Sequence, residues 1–257
     1  MGFLLAAQTD VGTTKRTNQD SYCIREAHSD KGDILMAVIC DGMGGLAKGE
    51  LASATVVKTF AAWFATELGD VLSHDRRNEE IVRTWRRIIK EQNQRILEYG
   101  KKNHIELGST LTIILILEDG HYIVGHVGDS RLYAFGNDDV QIITEDQTVV
   151  ANEIWLGRIT PEQALTDPRR NVLLQCIGAS RTVEPAFYEG EMDDKTYLLC
   201  SDGFRHKISS EEMLALLGPC HLSGEEEMNR RLRQLIDTDM QRRETDNITA
   251  LLVAREK

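Results

Sequence analysis

Carboxylates recur at the boundaries of predicted strands, and they are the residues of this chain best suited to chemistry. Asp41 follows an apolar run over residues 34–40 that is typical of a buried strand. A single Asp-Gly pair in that position is typical of a tight turn. Four more aspartates adjoin an apolar run, two after it and two before it, which gives the set Asp20, Asp41, Asp129, Asp202 and Asp246. Because a buried carboxylate is costly unless it is paired or binds a metal ion, the repetition indicates a shared site.

An antiparallel sheet would bring these aspartates together, because the end of one strand lies beside the start of its neighbour. Carboxylates gathered at one edge repel one another without counter-charge. Mg²⁺ and Mn²⁺ supply such charge and prefer carboxylate, carbonyl and water oxygens. The glycines of Asp41-Gly42-Met43-Gly44-Gly45 let the backbone bend and leave room for a ligand. The sequence therefore predicts a site for hard divalent cations.

Six short motifs occur in the order found in one known family. They are Asn18-Gln19-Asp20, Asp41-Gly42-Met43-Gly44-Gly45, Gly108-Ser109-Thr110, Gly128-Asp129-Ser130-Arg131, Ser201-Asp202-Gly203 and Asp246-Asn247-Ile248-Thr249. With these motifs the chain resembles the metal-dependent (PPM, type 2C) serine/threonine protein phosphatases, in their bacterial branch. Each motif alone is weak, but together they span nearly the whole chain, and this makes the resemblance specific.

The predicted elements agree with the fold that the resemblance implies. Apolar runs near the N-terminus indicate strands, and amphipathic patterns indicate helices over about residues 50–68 and 79–100, with Gly100 as a stop. Further strands and a second pair of helices follow, which indicates an α+β fold with helices outside two antiparallel sheets. The resemblance implies a four-layer αββα sandwich in a single catalytic domain over residues 1–257. The polar segment 144–180 falls where that family has its flap beside the active site.

The resemblance also implies which residues hold two Mn²⁺ or Mg²⁺ ions. Asp41 would bridge both ions. Asp20 and the Gly42 carbonyl would complete one site, and Asp202 and Asp246 would complete the other. Two ions in this arrangement neutralise and orient a phosphate monoester and activate the water that attacks it.

Other roles follow from the same resemblance. Asp129 and Asp202 would share a weaker third ion, although His206 stands where the family often has a further aspartate for that ion. Gln19 would hold a water ligand, and Asn247 would orient the aspartate that precedes it.

The chain departs from the family at the positions for phosphate binding and proton transfer. Lys15 replaces an arginine five residues before the first ligand, and a lysine cannot form a bidentate fork. Because neighbours on a strand face opposite ways, only one of Lys15 and Arg16 can face the ions. The spacing favours Lys15, with Arg16 as the alternative. Met43 stands where some members have a histidine proposed as general acid, so His206 or an ion-bound water would protonate the leaving group.

Composition restricts the partners and the compartment. The 257 residues carry a formal net charge of −11, which argues against binding to nucleic acid or to an anionic membrane surface. The chain has no run of membrane-span length and no signal-peptide pattern at its N-terminus. The five cysteines show no C-x-x-C spacing and are expected to be reduced rather than zinc ligands or disulfides. We therefore expect a cytoplasmic protein.

The residues favour one function over two alternatives. We predict a monomeric phosphatase that acts on phosphoserine and phosphothreonine in proteins and opposes a bacterial serine/threonine kinase. A phosphatase dedicated to one partner in a stress or sporulation switch would have the same fold. A metal-binding pseudophosphatase scaffold would belong to a different class, but a binding protein has no need of five clustered acids.

Overall fold

The computed structural model describes residues 2–44 and 48–256. Gly45, the last residue of the glycine-rich motif at Asp41, lies outside the described residues. The strands, in chain order, are β1 (Phe3–Asp10), β2 (Asp20–Ser29), β3 (Gly32–Met43), β4 (Gly108–Ser109), β5 (Leu111–Ile116), β6 (His121–Val127), β7 (Arg131–Phe135), β8 (Val140–Ile142), β9 (Ala186–Glu191), β10 (Thr196–Cys200) and β11 (Ile248–Arg255). The helices are α1 (Gly49–Thr66), α2 (Leu68–Leu72), α3 (Arg77–Asn103), α4 (Val149–Trp155), α5 (Pro161–Thr166), α6 (Ser210–Leu217) and α7 (Glu225–Gln241).

The strands form two antiparallel sheets. One has the order β1-β11-β10-β7-β8, and the other has the order β2-β3-β5-β6-β9, with the short β4 paired to the end of β3. The central strands are continuous apolar runs because both of their faces are buried. On β3, Ala37 and Ile39 pack between the sheets, whereas Met36 and Val38 pack towards the helices together with Trp85 of α3. The second sheet is covered by α1 to α3 and the first by α6 and α7. The predicted four-layer αββα sandwich is confirmed.

Two boundaries and one helix differ from the predictions. Strand β3 continues through Asp41 to Met43, so this carboxylate lies within the strand rather than after it. Helix α3 continues past Gly100 to Asn103 and ends at His104, which has the left-handed φ of 54°. Gly100 is buried where the chain folds back, and a side chain there would meet the Ile105 carbonyl, so this glycine serves packing rather than termination. Helix α4 was not predicted, because its seven residues lie in a polar stretch.

None of the helices found within residues 2–44 and 48–256 has the length and apolar character needed to cross a membrane. All five cysteines are free, as expected, and four of them are buried, namely Cys23, Cys40, Cys176 and Cys200.

Candidate active site

The five predicted aspartates meet at one end of the sandwich. Asp20 of β2 and Asp41 of β3 are direct partners in the antiparallel register. The other three adjoin the ends of β6, β10 and β11, and Asp41 experiences the negative charge of all four neighbours. The structure thus brings together the carboxylates that the sequence predicted to share a site.

Two motifs of small polar residues hold the backbone at Asp41. The Asp41 N–H donates to Thr110 Oγ1 at 2.9 Å, and the Thr110 N–H donates to the Asp41 carbonyl at 2.9 Å. The Thr110 hydroxyl is also 2.9 Å from the Ser130 hydroxyl. Thr110 and Ser130 are buried, and Thr110 bonds to the backbone of Asp41. These contacts therefore position the residue and leave its carboxylate available for a ligand.

Ser201 links the two sheets beside the aspartates. Its hydroxyl donates to Asp20 Oδ2 at 2.9 Å and accepts from the Thr249 N–H at 3.0 Å. Ser201 belongs to the motif Ser201-Asp202-Gly203, but its contact with Asp20 was not predicted. Its contact leaves the other oxygen of that carboxylate free to face a ligand.

The carboxylates carry unsatisfied negative charge. Asp20 Oδ1 and Asp202 Oδ1 are buried and have no hydrogen-bond partner among the described residues. Burial, together with the charges of Asp202 and Asp246, raises the pKa of Asp20 to about 7, although hydrogen bonds with Thr249 and Ser201 oppose the shift. Burial, followed by the charges of Asp20 and Asp202, also holds the pKa of Asp41 well above its usual range. A cation bound between these oxygens would remove both the orphaned acceptors and the repulsion, so these residues fit divalent metal ions.

The donor set suits a hydrated ion. Over residues 2–44 and 48–256, no three acidic, histidine or cysteine side chains converge as a ready-made metal cage. Mg²⁺ does not need such a cage, because it keeps several waters and takes one or two carboxylates from the protein. The carboxylate-rich edge is therefore compatible with Mg²⁺ or Mn²⁺ and unlike a closed zinc site.

Two glycines allow the backbone to pack closely around the aspartates. A Cβ on Gly42 would overlap the carbonyls of Gln19 and Gly49, and a Cβ on Gly203 would overlap the Asn247 carbonyl. The Gln19 carbonyl also accepts from the Gly42 N–H at 3.1 Å. The loop before β2, the end of β3 and the start of α1 are thereby fixed together. The Gly42 carbonyl and the Gln19 side chain remain predicted contributors to the ion sites.

Lys15 lies at the site, but on a loop and not on a strand as predicted. Residues 11–19 form a loop between β1 and β2, so strand alternation does not apply to Lys15 and Arg16. Lys15 Nζ lies 2.9 Å from Asp246 Oδ1. Burial lowers the pKa of Lys15, but the contact with Asp246 and the charges of Asp41 and Asp202 outweigh it and raise the pKa overall. Arg16 is exposed and forms no ion pair within the described part of the chain.

Asn247 anchors this loop, which is a larger role than the sequence indicated. Its backbone N–H donates to Asp246 Oδ1 at 2.9 Å. Its side chain instead accepts from the Gln19 N–H at 2.8 Å and donates to the carbonyls of Val11 and Thr17 at 2.9 and 3.2 Å. The amide thus joins the loop that carries Lys15 to the start of β11.

Replacing Asn247 with alanine should destabilise the fold by about 3 kcal/mol, because three backbone groups lose a partner at a buried side chain. The loop over residues 11–19 should also lose its fixed position, so that Lys15 no longer lies reliably at the site and kcat/KM falls. Denaturant unfolding of the metal-free protein measures the first effect. Asn103→Ala is the matched control, since its amide makes one local bond to the Tyr99 carbonyl on the exposed end of α3. Equal stability of the two variants would show that the Asn247 contacts do not anchor the loop.

His206 and Glu244 support the Asp202 and Asp246 side of the site. His206 Nε2 lies 3.3 Å from Asp202 Oδ2, and its Nδ1 lies 3.6 Å from Glu244 Oε1. Burial lowers the pKa of His206, but these two carboxylates outweigh it and raise the pKa to about 10. Glu244 Oε1 accepts from the N–H groups of Thr245 and Asp246 and so fixes the turn before β11. Glu244 was not predicted, because this role depends on backbone geometry rather than on a motif.

Asp129 lies beside a second unpredicted group, Arg205. Arg205 Nη2 donates to the Asp129 carbonyl at 3.0 Å and lies 3.6 Å from Asp129 Oδ2. Burial and the charge of Asp202 raise the pKa of Asp129 to about 7, while Arg205 opposes the shift. Asp146 and Arg131 extend this contact into a network of charges.

The segment over residues 144–180 lies beside the site. Together with β8 and β9 it encloses a cavity of about 1020 Å³ that reaches Asp129, Arg205 and His206. Trp155 and Leu165 line the cavity and are 81% and 76% exposed. The cavity therefore opens beside the part of the site that carries Asp129.

Sequence relationships agree with this site. The sequence model of the family described as Protein phosphatase 2C matches residues 11–237. The chain belongs to the protein phosphatase 2C family.

Similar proteins extend over nearly the whole chain. Serine/threonine phosphatase stp of Listeria innocua is 31% identical over 256 residues, which cover 96% of this chain and 94% of that protein. The crystal structure of serine/threonine phosphatase Stp1 from Staphylococcus aureus matches with a TM-score of 0.86 at 26% identity, over 100% of this chain and 96% of the other. The catalytic domain of the phosphatase PstP, solved in complex with two manganese ions, matches with a TM-score of 0.76 at 28% identity, over 98% and 99% of the two chains.

The predicted family and enzyme class are therefore confirmed. The protein is a metal-dependent serine/threonine protein phosphatase. The scaffold alternative is not favoured.

Proposed function

We propose that the chain holds two divalent ions, Mn²⁺ or Mg²⁺, at the acidic edge and hydrolyses phosphoserine and phosphothreonine there. Asp41 would serve both ions, with Asp20 and the Gly42 carbonyl on one side and Asp202 and Asp246 on the other. The observation that supports this proposal best is the pair of buried, unpartnered oxygens Asp20 Oδ1 and Asp202 Oδ1. When bound, the ions supply Lewis acidity and make water nucleophilic at neutral pH.

The residues of the chain have separate tasks in this reaction. The β2–β3 pairing places Asp20 and Asp41 opposite each other, so both carboxylates start from the same edge of the sheet. Lys15 stays charged and would attract the phosphate dianion to the open side of the site. The contacts of Asn247, Ser201 and Glu244 keep these groups in place during turnover.

We further propose that the enzyme is a cytoplasmic monomer that reverses phosphorylation by a serine/threonine kinase. Five free cysteines, one of them exposed, suit a reducing compartment. The open cavity beside the aspartates suits an exposed phosphorylated segment of a protein substrate.

A panel of phosphopeptides tests the substrate class. Peptides with one core sequence carrying phosphoserine, phosphothreonine or phosphotyrosine should be hydrolysed in the first two cases and poorly in the third. Similar turnover across peptides of unrelated sequence would indicate a general phosphatase, and turnover of one sequence alone would indicate an enzyme dedicated to one partner. Preference for phosphotyrosine would contradict the proposal.

Lys15→Ala should raise KM for a phosphothreonine peptide roughly tenfold and change kcat less, because a charge that attracts the phosphate contributes mainly uniform binding. Lys15→Arg should keep or improve kcat/KM, since a guanidinium can grip the phosphate with two hydrogen bonds. Arg16→Ala, the matched control on the same loop, should have little effect. If Arg16→Ala carries the KM defect and Lys15→Ala is silent, the phosphate-binding residue is Arg16.

A further inference from the structure

We propose that Arg205 takes the place of a third metal ion, so that this chain binds two divalent ions and not three. The proposal rests on the two-ion site proposed above. The resemblance placed a third, weaker ion at Asp129 and Asp202. The contacts of Asp129 explain why that ion is disfavoured in this chain.

A guanidinium already provides counter-charge for Asp129. Arg205 Nη2 lies 3.6 Å from Asp129 Oδ2 and donates to the Asp129 carbonyl at 3.0 Å. The side chain of Arg205 is 15% exposed and that of Asp129 is 9% exposed, so water screens this attraction only weakly. An arginine cannot lose its proton at any ordinary pH. An ion that approached Asp129 would therefore meet a fixed positive charge.

The same guanidinium nitrogen is also held by a second acid. Arg205 Nη2 donates to Asp146 Oδ2 at 3.3 Å. Asp146 itself accepts two hydrogen bonds from Arg131, at 2.7 and 2.8 Å, in a bidentate pair. Arg131 is held in turn by the Tyr133 hydroxyl at 2.9 Å. The bidentate pair fixes Asp146 in place, and a movement of Arg205 away from Asp129 would also lose its hydrogen bond to Asp146.

The position four residues after Asp202 has also changed in a way that disfavours a third ion. The family often has an aspartate four residues after Asp202, and here that position is His206, whose Nε2 lies 3.3 Å from Asp202 Oδ2. An aspartate at this position would attract the ion. The histidine that replaces it contacts the carboxylate of Asp202 instead. By contrast, Asp20 Oδ1 and Asp202 Oδ1 have no partner among the described residues and so retain room for two ions.

Manganese titration of the metal-free protein tests this assignment. Isothermal titration calorimetry, with free Mn²⁺ followed by electron paramagnetic resonance, should give two bound ions for the wild type. Arg205→Ala should bind a third ion more weakly than the first two, because Asp129 loses its counter-charge. Arg205→Lys should stay at two, since it keeps the charge. The double variant Arg205→Ala with Asp129→Asn should return to two, because the third ion loses its ligand.

Arg77→Ala is the matched control, because Arg77 also pairs with two acids. These are Glu118 and Asp119, which lie at the opposite end of β6 from Asp129. It should bind two ions. Circular dichroism confirms folding, and Arg205→Met, which keeps the length of the stem, replaces the alanine variant if that one unfolds. A wild type that binds three ions would overturn the proposal, and so would an Arg205→Ala protein that stays at two. A wild type that binds none would overturn the two-ion site as well, so the two failures are distinguishable.

Discussion

Asp41→Asn is expected to lower kcat by about three orders of magnitude or more, the largest effect of any single substitution in this protein. Asp41 experiences the negative charge of all four other aspartates, as expected of a central residue of the cluster. Loss of this charge would weaken the binding of both ions. Each ion contributes several kcal/mol to the stabilisation of the transition state. Phosphate release from a phosphothreonine peptide at saturating Mn²⁺ measures the loss. Turnover close to the wild type would remove Asp41 from the active site.

The same substitution should leave the metal-free fold equally stable or make it more stable. Burial raises the pKa of Asp41 in the folded state, so the ionised group destabilises the fold increasingly as pH rises above its unfolded pKa of about 4. Asparagine carries no such charge. Thermal unfolding in chelator at pH 7 should therefore give a Tm at or above that of the wild type. Asp138→Asn, in the exposed turn between β7 and β8, is the control and should change neither property.

The central strands and the cluster of aspartates could be predicted because each depends on a local pattern. Residues 34–40 are apolar throughout because β3 is buried on both faces. Asp20 and Asp202 adjoin apolar runs because the site is built where strands of two sheets end. Helix α3 was recognisable from its buried stripe, which includes Trp85.

The supporting residues could not be predicted, because they act across long separations in sequence. Arg205 reaches Asp129 over 76 positions, and Asn247 reaches Gln19 over 228. No local pattern marks either contact. Glu244 acts on backbone N–H groups, which carry no sequence signal of their own. Strand alternation failed for Lys15 and Arg16 because the irregular path of the loop over residues 11–19 depends on the Asn247 contacts.

Dependence on metal ions is the most direct test of the proposed site. The orphaned carboxylate oxygens and the repulsion among Asp20, Asp41 and Asp202 indicate that the site works only when cations neutralise it. Cations that bind the folded state alone should also raise Tm in proportion to the logarithm of their concentration, once the site is saturated.

The measurement is phosphate release from a phosphothreonine peptide by protein stripped with EDTA, dialysed and then titrated with Mn²⁺ or Mg²⁺, with Ca²⁺ and Zn²⁺ for comparison. We predict no measurable turnover by the stripped protein and full recovery as Mn²⁺ or Mg²⁺ is added. Undiminished turnover in excess chelator would contradict the metal-dependent mechanism at these aspartates.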